Sequence, residues 1–244
     1  MGACVRIGSI LMLTGIALGQ QDVAAQSPYR WALPKDTVQP TALFARADVL
    51  AGIVSRIDPW DAFFPRCDTS GWCWGQDERG TPGYLSRDAL LFLDELPDSA
   101  LAAWMLRVFA EEKRLGKELT RAWEQGDSLR QQEIGAIAND HDMTHIAALA
   151  MFRDYFCRSG DQTIMRALME NIAANPGSAN EMLPTTLVSG LSCRERVVLS
   201  MFKRFRADDR AIIEAALSAG IGISFNERDP VEKAEQERLR RLLE

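Results

Sequence analysis

Along most of this chain apolar side chains return at steps of three and four, and alternating β-branched runs are nearly absent. A period of 3.6 residues keeps such positions on one side of a helix, so this spacing constrains the fold more than any other feature. It predicts helices over 41–57, 86–95, 98–124, 128–157, 161–174, 179–189, 192–206, 208–219 and 230–243. The expected class is all-α: antiparallel helical hairpins with a disulfide-stapled aromatic loop.

Start signals accompany several of these segments. Ser128 with Gln131, and Ser192 with Glu195, have the capping-box pattern, in which a hydroxyl accepts from free amides and the later side chain reaches back. Asp161 follows Gly160 and can cap the next helix. Asp229–Pro230–Val231–Glu232 puts an acceptor at the cap, proline at the first helical position and an acid in the first turn. The final helix is mostly charged, with a stripe of Leu239, Leu242 and Leu243 that could dock on the body or on a second copy. A faint echo links "WMLRVF" at 104–109, "AMFRDYF" at 150–156 and "SMFKRF" at 200–205. If it is a repeat, the hairpins stack as a short solenoid, each burying its apolar face on a neighbour.

The opening residues read as a secretory signal peptide: Arg6, an apolar run over 7–18, and small residues suited to cleavage after Ala25 or after Gly19. No later stretch is apolar enough to span a bilayer. Removing Cys4 with the leader leaves Cys67, Cys73, Cys157 and Cys193, and an even number in an exported chain suggests two disulfides. Cys67–Cys73 would staple a short Gly-containing loop, and Cys157–Cys193 would join the end of one helix to the start of another. A four-cysteine zinc site lacks its CxxC pair. The domain layout is then a cleaved leader at 1–25, a first helix with a Trp-rich loop at 26–85, a helical domain at 86–222, and a linker with a charged helix at 223–244. A net charge of −6 argues against nucleic acid as partner.

Two constellations could carry chemistry. Both histidines of the chain lie in "HDMTH", His141 to His145. They fall on the lane Ile134, Ile137, His141, His145, Ala148, Phe152, Phe156, so as one helix they would sit on its apolar stripe. Histidines four apart can converge on one metal, and the string resembles the HExxH pattern of zinc metallopeptidases with Asp142 in the place of the glutamate base. That aspartate is one methylene shorter, and a third ligand would have to come from a carboxylate such as Glu133 or Asp140. Asp142 could instead orient the His145 ring. The plainer reading makes the histidines packed polar residues, with "NDHD" as a break that caps a new helix.

The second constellation is aromatic. Trp60, Phe63, Phe64, Trp72, Trp74 and Tyr84 crowd residues 58–84. Rigid aromatic faces suit stacking on a sugar or a peptide, with Asp61, Asp68, Asp77 and Glu78 as acceptors; as core, the same residues would plug the loop onto the helices. No Gly-rich phosphate cradle and no GxSxG elbow is present. The expected function is an exported, periplasmic or secreted, interaction or scaffold module for a protein, peptide or envelope glycan, using Trp60, Trp72, Trp74 and Tyr84. The alternative is a zinc or other divalent-metal protein, or a metal-dependent hydrolase, using His141 and His145 with Asp142 as base.

Overall fold

The computed structural model describes residues 30–77, 79–176 and 180–243. The leader at 1–25 and the candidate acceptor Glu78 lie outside the described residues.

The all-α expectation is overturned in the first third of the chain, which folds as two antiparallel sheets. The larger sheet has the order β3-β2-β6-β5-β4, built from β2 (Thr41–Phe44), β3 (Ile53–Ile57), β4 (Arg66–Cys67), β5 (Trp72–Gln76) and β6 (Pro82–Ser86). The smaller pairs β1 (Ala32–Pro34) with β7 (Leu90–Phe92). The helix predicted over 41–57 is thus β2 and β3. Leu43 and Ile57 are buried, but Val49, Leu50 and Val54, which complete the helical stripe on paper, are exposed. The predicted helix over 86–95 is β7 between two short 3-10 turns. The aromatic segment read as a loop is largely the β4–β5–β6 meander, and Cys67–Cys73 bridges directly opposed residues of β4 and β5.

The sheet closes on its own small core. Leu43, Phe63, Cys73, Leu85 and Phe92 pack within it. Gly75 and Gly83 make that packing possible: a Cβ at Gly75 would come within 2.4 Å of the Phe63 ring, and one at Gly83 within 2.4 Å of Leu43 Cγ. Phe63 therefore rests directly on strand backbone, a close approach that only glycine permits.

Seven helices follow among the described residues: α1 (Asp98–Glu124), α2 (Ser128–Asp140), α3 (Asp142–Ser159), α4 (Gln162–Ala174), α5 (Met182–Phe202), α6 (Ala207–Ser224) and α7 (Pro230–Arg241). Asp161 caps α4 by accepting from Thr163 N at 2.8 Å, and Asp229 caps α7 by accepting from Val231 N at 2.8 Å. The two capping boxes do not form. Asp127, one residue earlier than Ser128, accepts from Arg130 N at 3.0 Å and starts α2, because its carboxylate is the stronger acceptor. Ser192 lies inside α5, which runs through the break expected near 190 and kinks at Arg194 (φ −139°, ψ 49°). There the Arg194 guanidinium donates to the carbonyls of Cys157 and Arg158 at 2.9 Å, beside the Cys157–Cys193 disulfide.

The helices do not stack in sequence. α1 packs on α2, α3 and α4, while α5 packs on α3, α4 and α6, so the solenoid expectation gives way to a bundle around one apolar core. α7 docks on the body: Leu239 is fully buried, Gln236 Nε2 donates to the Ile221 carbonyl at 3.1 Å, and Arg238 meets Glu195 at 2.6 Å. Two hydrogen bonds tie the connection between β3 and β4 to the bundle. Ala62 N donates to Thr144 Oγ1 on α3 at 2.7 Å, and Trp104 Nε1 on α1 donates to the Trp60 carbonyl at 3.2 Å.

Candidate functional site

Strand geometry sorts the aromatic residues. Successive side chains of a strand point to opposite faces, so in β5 Cys73 and Gly75 face the core while Trp72, Trp74 and Gln76 face away from it. In β6 Gly83 and Leu85 are buried and Tyr84 is turned outward. Register then lines up Phe44, Tyr84, Trp74 and Arg66 across β2, β6, β5 and β4. Three strand spacings make this row roughly 14 Å long. Trp72 stands next to it, meeting Phe44 edge-on at 6.1 Å between ring centroids. Trp74 is 40% exposed, and Phe44, Trp72 and Tyr84 are half-buried. Three of the four predicted aromatic residues, Trp72, Trp74 and Tyr84, thus share one sheet face. Phe44 joins them, missed because its segment was read as a helix.

Trp60 goes elsewhere. Its ring lies on His141 with centroids 4.5 Å apart, and the Arg107 guanidinium sits 5.0 Å over it. Phe63 is core, while Phe64 packs on Trp31 at 4.5 Å. Of the candidate acceptors, Asp68 accepts from Ser70 N and Oγ, which lowers its pKa. Asp77 accepts from Ser55 Oγ, Arg79 N and Thr81 N. Both carboxylates therefore hold turns.

The histidines stand at the junction of α2 and α3, where His141 (φ −114°, ψ 8°) ends one helix and precedes the next. The single helix over 128–157 is corrected to two, as the Asn- and Asp-rich "NDHD" allows. His141 Nδ1 lies 3.3 Å from the buried Asp61 Oδ1 at the back of a cleft of about 680 Å³ between sheet and helices. Asp58, Asp77, Arg79 and Asp140 also line it.

His145 turns into the bundle. Asn175 donates to Asn171 Oδ1 at 2.7 Å, which leaves the Asn171 amide to face His145 Nε2 at 3.4 Å and directs His145 Nδ1 toward Glu112 Oε2 at 3.6 Å. The two imidazoles therefore address different carboxylates on different elements. Glu133 and Asp140, the proposed third ligands, are ion-paired to Arg130 and Arg79. Among the described residues no group of three or more His, Cys, Asp or Glu could hold a metal ion.

Burial sets the protonation of the inner pair. Desolvation raises Glu112 to about 7, helped by Asp142 and Glu111 and opposed by His141. Desolvation lowers His145 to about 4 and raises Asp142. Both shifts favour uncharged forms, so between about pH 4 and 7 the carboxyl keeps its proton and the imidazole is neutral. The neutral His145 contributes stability above pH 6.5 that is lost as pH falls through about 4. The neutral Glu112 contributes stability below pH 4.5 that is lost as pH rises through about 7. Glu112→Gln, which cannot ionise, should therefore be more stable than the parent by roughly 1–3 kcal/mol at pH 8 and by less than about 1 kcal/mol at pH 5. Urea unfolding at the two pH values checks this, and a difference independent of pH would refute it.

The chain matches no protein-family model, no curated protein and no solved structure.

Proposed function

We propose that this chain is a binding module of the extracellular or periplasmic space that holds a carbohydrate chain on the outer face of its five-stranded sheet. The observation behind this reading is the Phe44–Tyr84–Trp74 row with Trp72 beside it, ending at Arg66. The C–H face of a sugar ring packs on an aromatic face, and a row set by strand register loses little entropy on binding. Arg66 and Gln76, both exposed, supply donors for hydroxyl or carboxylate groups beside the rings. The two disulfides are consistent with an extracellular protein, and no described helix is long and apolar enough to cross a membrane. An envelope glycan suits that compartment.

Titration of soluble peptidoglycan fragments, followed by tryptophan fluorescence and calorimetry, tests the reading. Trp74→Ala is expected to weaken binding at least tenfold, about 1.4 kcal/mol, with a modest fall in urea midpoint that leaves the protein folded, because the side chain is 40% exposed and outside the core. Fragments that bind the parent and Trp74→Ala equally, or bind neither, would remove the sheet face from consideration.

A further inference from the structure

We propose that a basic pocket where α1, α4 and the α5–α6 turn meet is a binding site for a phosphoryl group, independent of the sheet face. Lys113 and Lys117 stand one turn apart on α1, Arg166 comes from α4, and Arg204 and Arg206 come from the turn that separates α5 from α6. The side chains surround a pocket of about 310 Å³, walled on one side by the half-buried Phe205.

Charge is what sets this place apart. Five cations face two carboxylates, Glu170 and Asp209, an excess of three positive charges in a chain whose net charge is −6. Glu170 is engaged by Lys113. Among the described residues, Lys117, Arg166, Arg204 and Arg206 make no ion pair and no side-chain hydrogen bond. Some arginines on other helix surfaces are neutralised, as Arg114 is by Glu111 and Glu118, Arg130 by Glu118 and Glu133, and Arg238 by Glu195 and Glu235, while Arg121, Arg153 and Arg196 are unpaired as well among the described residues; this pocket differs in gathering four unpaired cations in one concavity. Unneutralised cations drawn into one concavity repel each other until an anion enters.

The geometry selects the class of anion. Guanidinium groups present planar forks that match the oxygens of phosphate or carboxylate, and ammonium groups add point charge. A carboxylate brings one negative charge and leaves most of the excess standing. A phosphoryl group brings nearly two charges and three acceptor oxygens, enough for donors arriving from three elements. Free phosphate esters and anionic lipid headgroups share this chemistry.

The test uses the purified full chain at low ionic strength. Inorganic phosphate is titrated calorimetrically into the parent, into Arg166→Gln/Arg204→Gln, and into Lys203→Gln, whose cation lies outside the pocket. In parallel, phosphatidylcholine vesicles with and without phosphatidic acid are sedimented with each protein. Both arginines are exposed, so the double variant should keep the parent urea midpoint. We expect phosphate binding that weakens at least tenfold in the double variant, weakens in 0.5 M salt through screening, and persists in Lys203→Gln. Binding of free phosphate without vesicle binding assigns the pocket to phosphate esters in solution. Arginine-dependent sedimentation only with phosphatidic acid assigns it to a headgroup. The proposal is overturned if the parent binds neither probe, or if the double variant binds as well as the parent.

Discussion

Replacing Cys157 and Cys193 by alanine is expected to cost about 4 kcal/mol, because their bond closes a loop of 36 residues. In the reduced, unfolded chain that loop is free to expand, and the entropy it regains grows with the logarithm of its length. The bond also joins the end of α3 to the kinked middle of α5, so its loss should loosen the contact that Arg194 makes with the α3 carbonyls. Urea unfolding of oxidised parent, reduced parent and variant measures the effect. Reductant should weaken the parent much further than the variant, which retains only Cys67–Cys73. That second bridge spans 6 residues and should be worth about 2 kcal/mol by the same relation. A loss below about 1 kcal/mol in the double variant would mean that the unfolded chain is held compact by other means.

Phe152→Ala should be comparably damaging, at about 4 kcal/mol. Phe152 is completely buried, stacked on Phe156 at 5.3 Å and packed against Phe109 at 6.4 Å. Phe109 in turn meets His145 edge-on at 6.4 Å, so the cavity would open beside the Glu112–His145 pair. The two helices that bring these rings together, α1 and α3, are each packed on further helices and cannot collapse over the gap without repacking. A fall in urea midpoint with unchanged slope is the expected signature; a loss under about 1.5 kcal/mol would show that the bundle relaxes to fill the space.

Helices with strong local signals were legible in the sequence. Over α1 the apolar period is sustained for 27 residues, and at α4 and α7 a single aspartate does in the structure what its position implies. The strands were hidden for two physical reasons. They are two to five residues long, too short to display a period, and their partners are remote: Phe44 of β2 pairs with Tyr84 of β6. In β5 the alternation is also masked by composition, since buried Cys73 sits between outward-facing Trp72 and Trp74 and both faces read as apolar. The histidine surroundings were legible only in part. "NDHD" offered a helix break only as an alternative to the single helix expected over 128–157, and Asp61 and Glu112 reach the imidazoles from 80 and 33 residues away, a matter of tertiary packing that local spacing cannot encode. The five cations of the basic pocket are scattered from 113 to 206 for the same reason.

The β1–β7 clasp has a mechanical consequence. The strands are antiparallel with Ala32 opposite Phe92, so the chain enters β1 and leaves β7 toward the bundle at the same end of the pair. Arg30 closes that end with hydrogen bonds to Asp94 at 2.9 and 3.1 Å. Tension applied through residue 30 against the helical bundle would load the Arg30–Asp94 bonds first. It would then open the ladder one rung at a time instead of shearing all rungs together. β1 would peel from β7 at low force while the helices, tied by Cys157–Cys193, stayed folded.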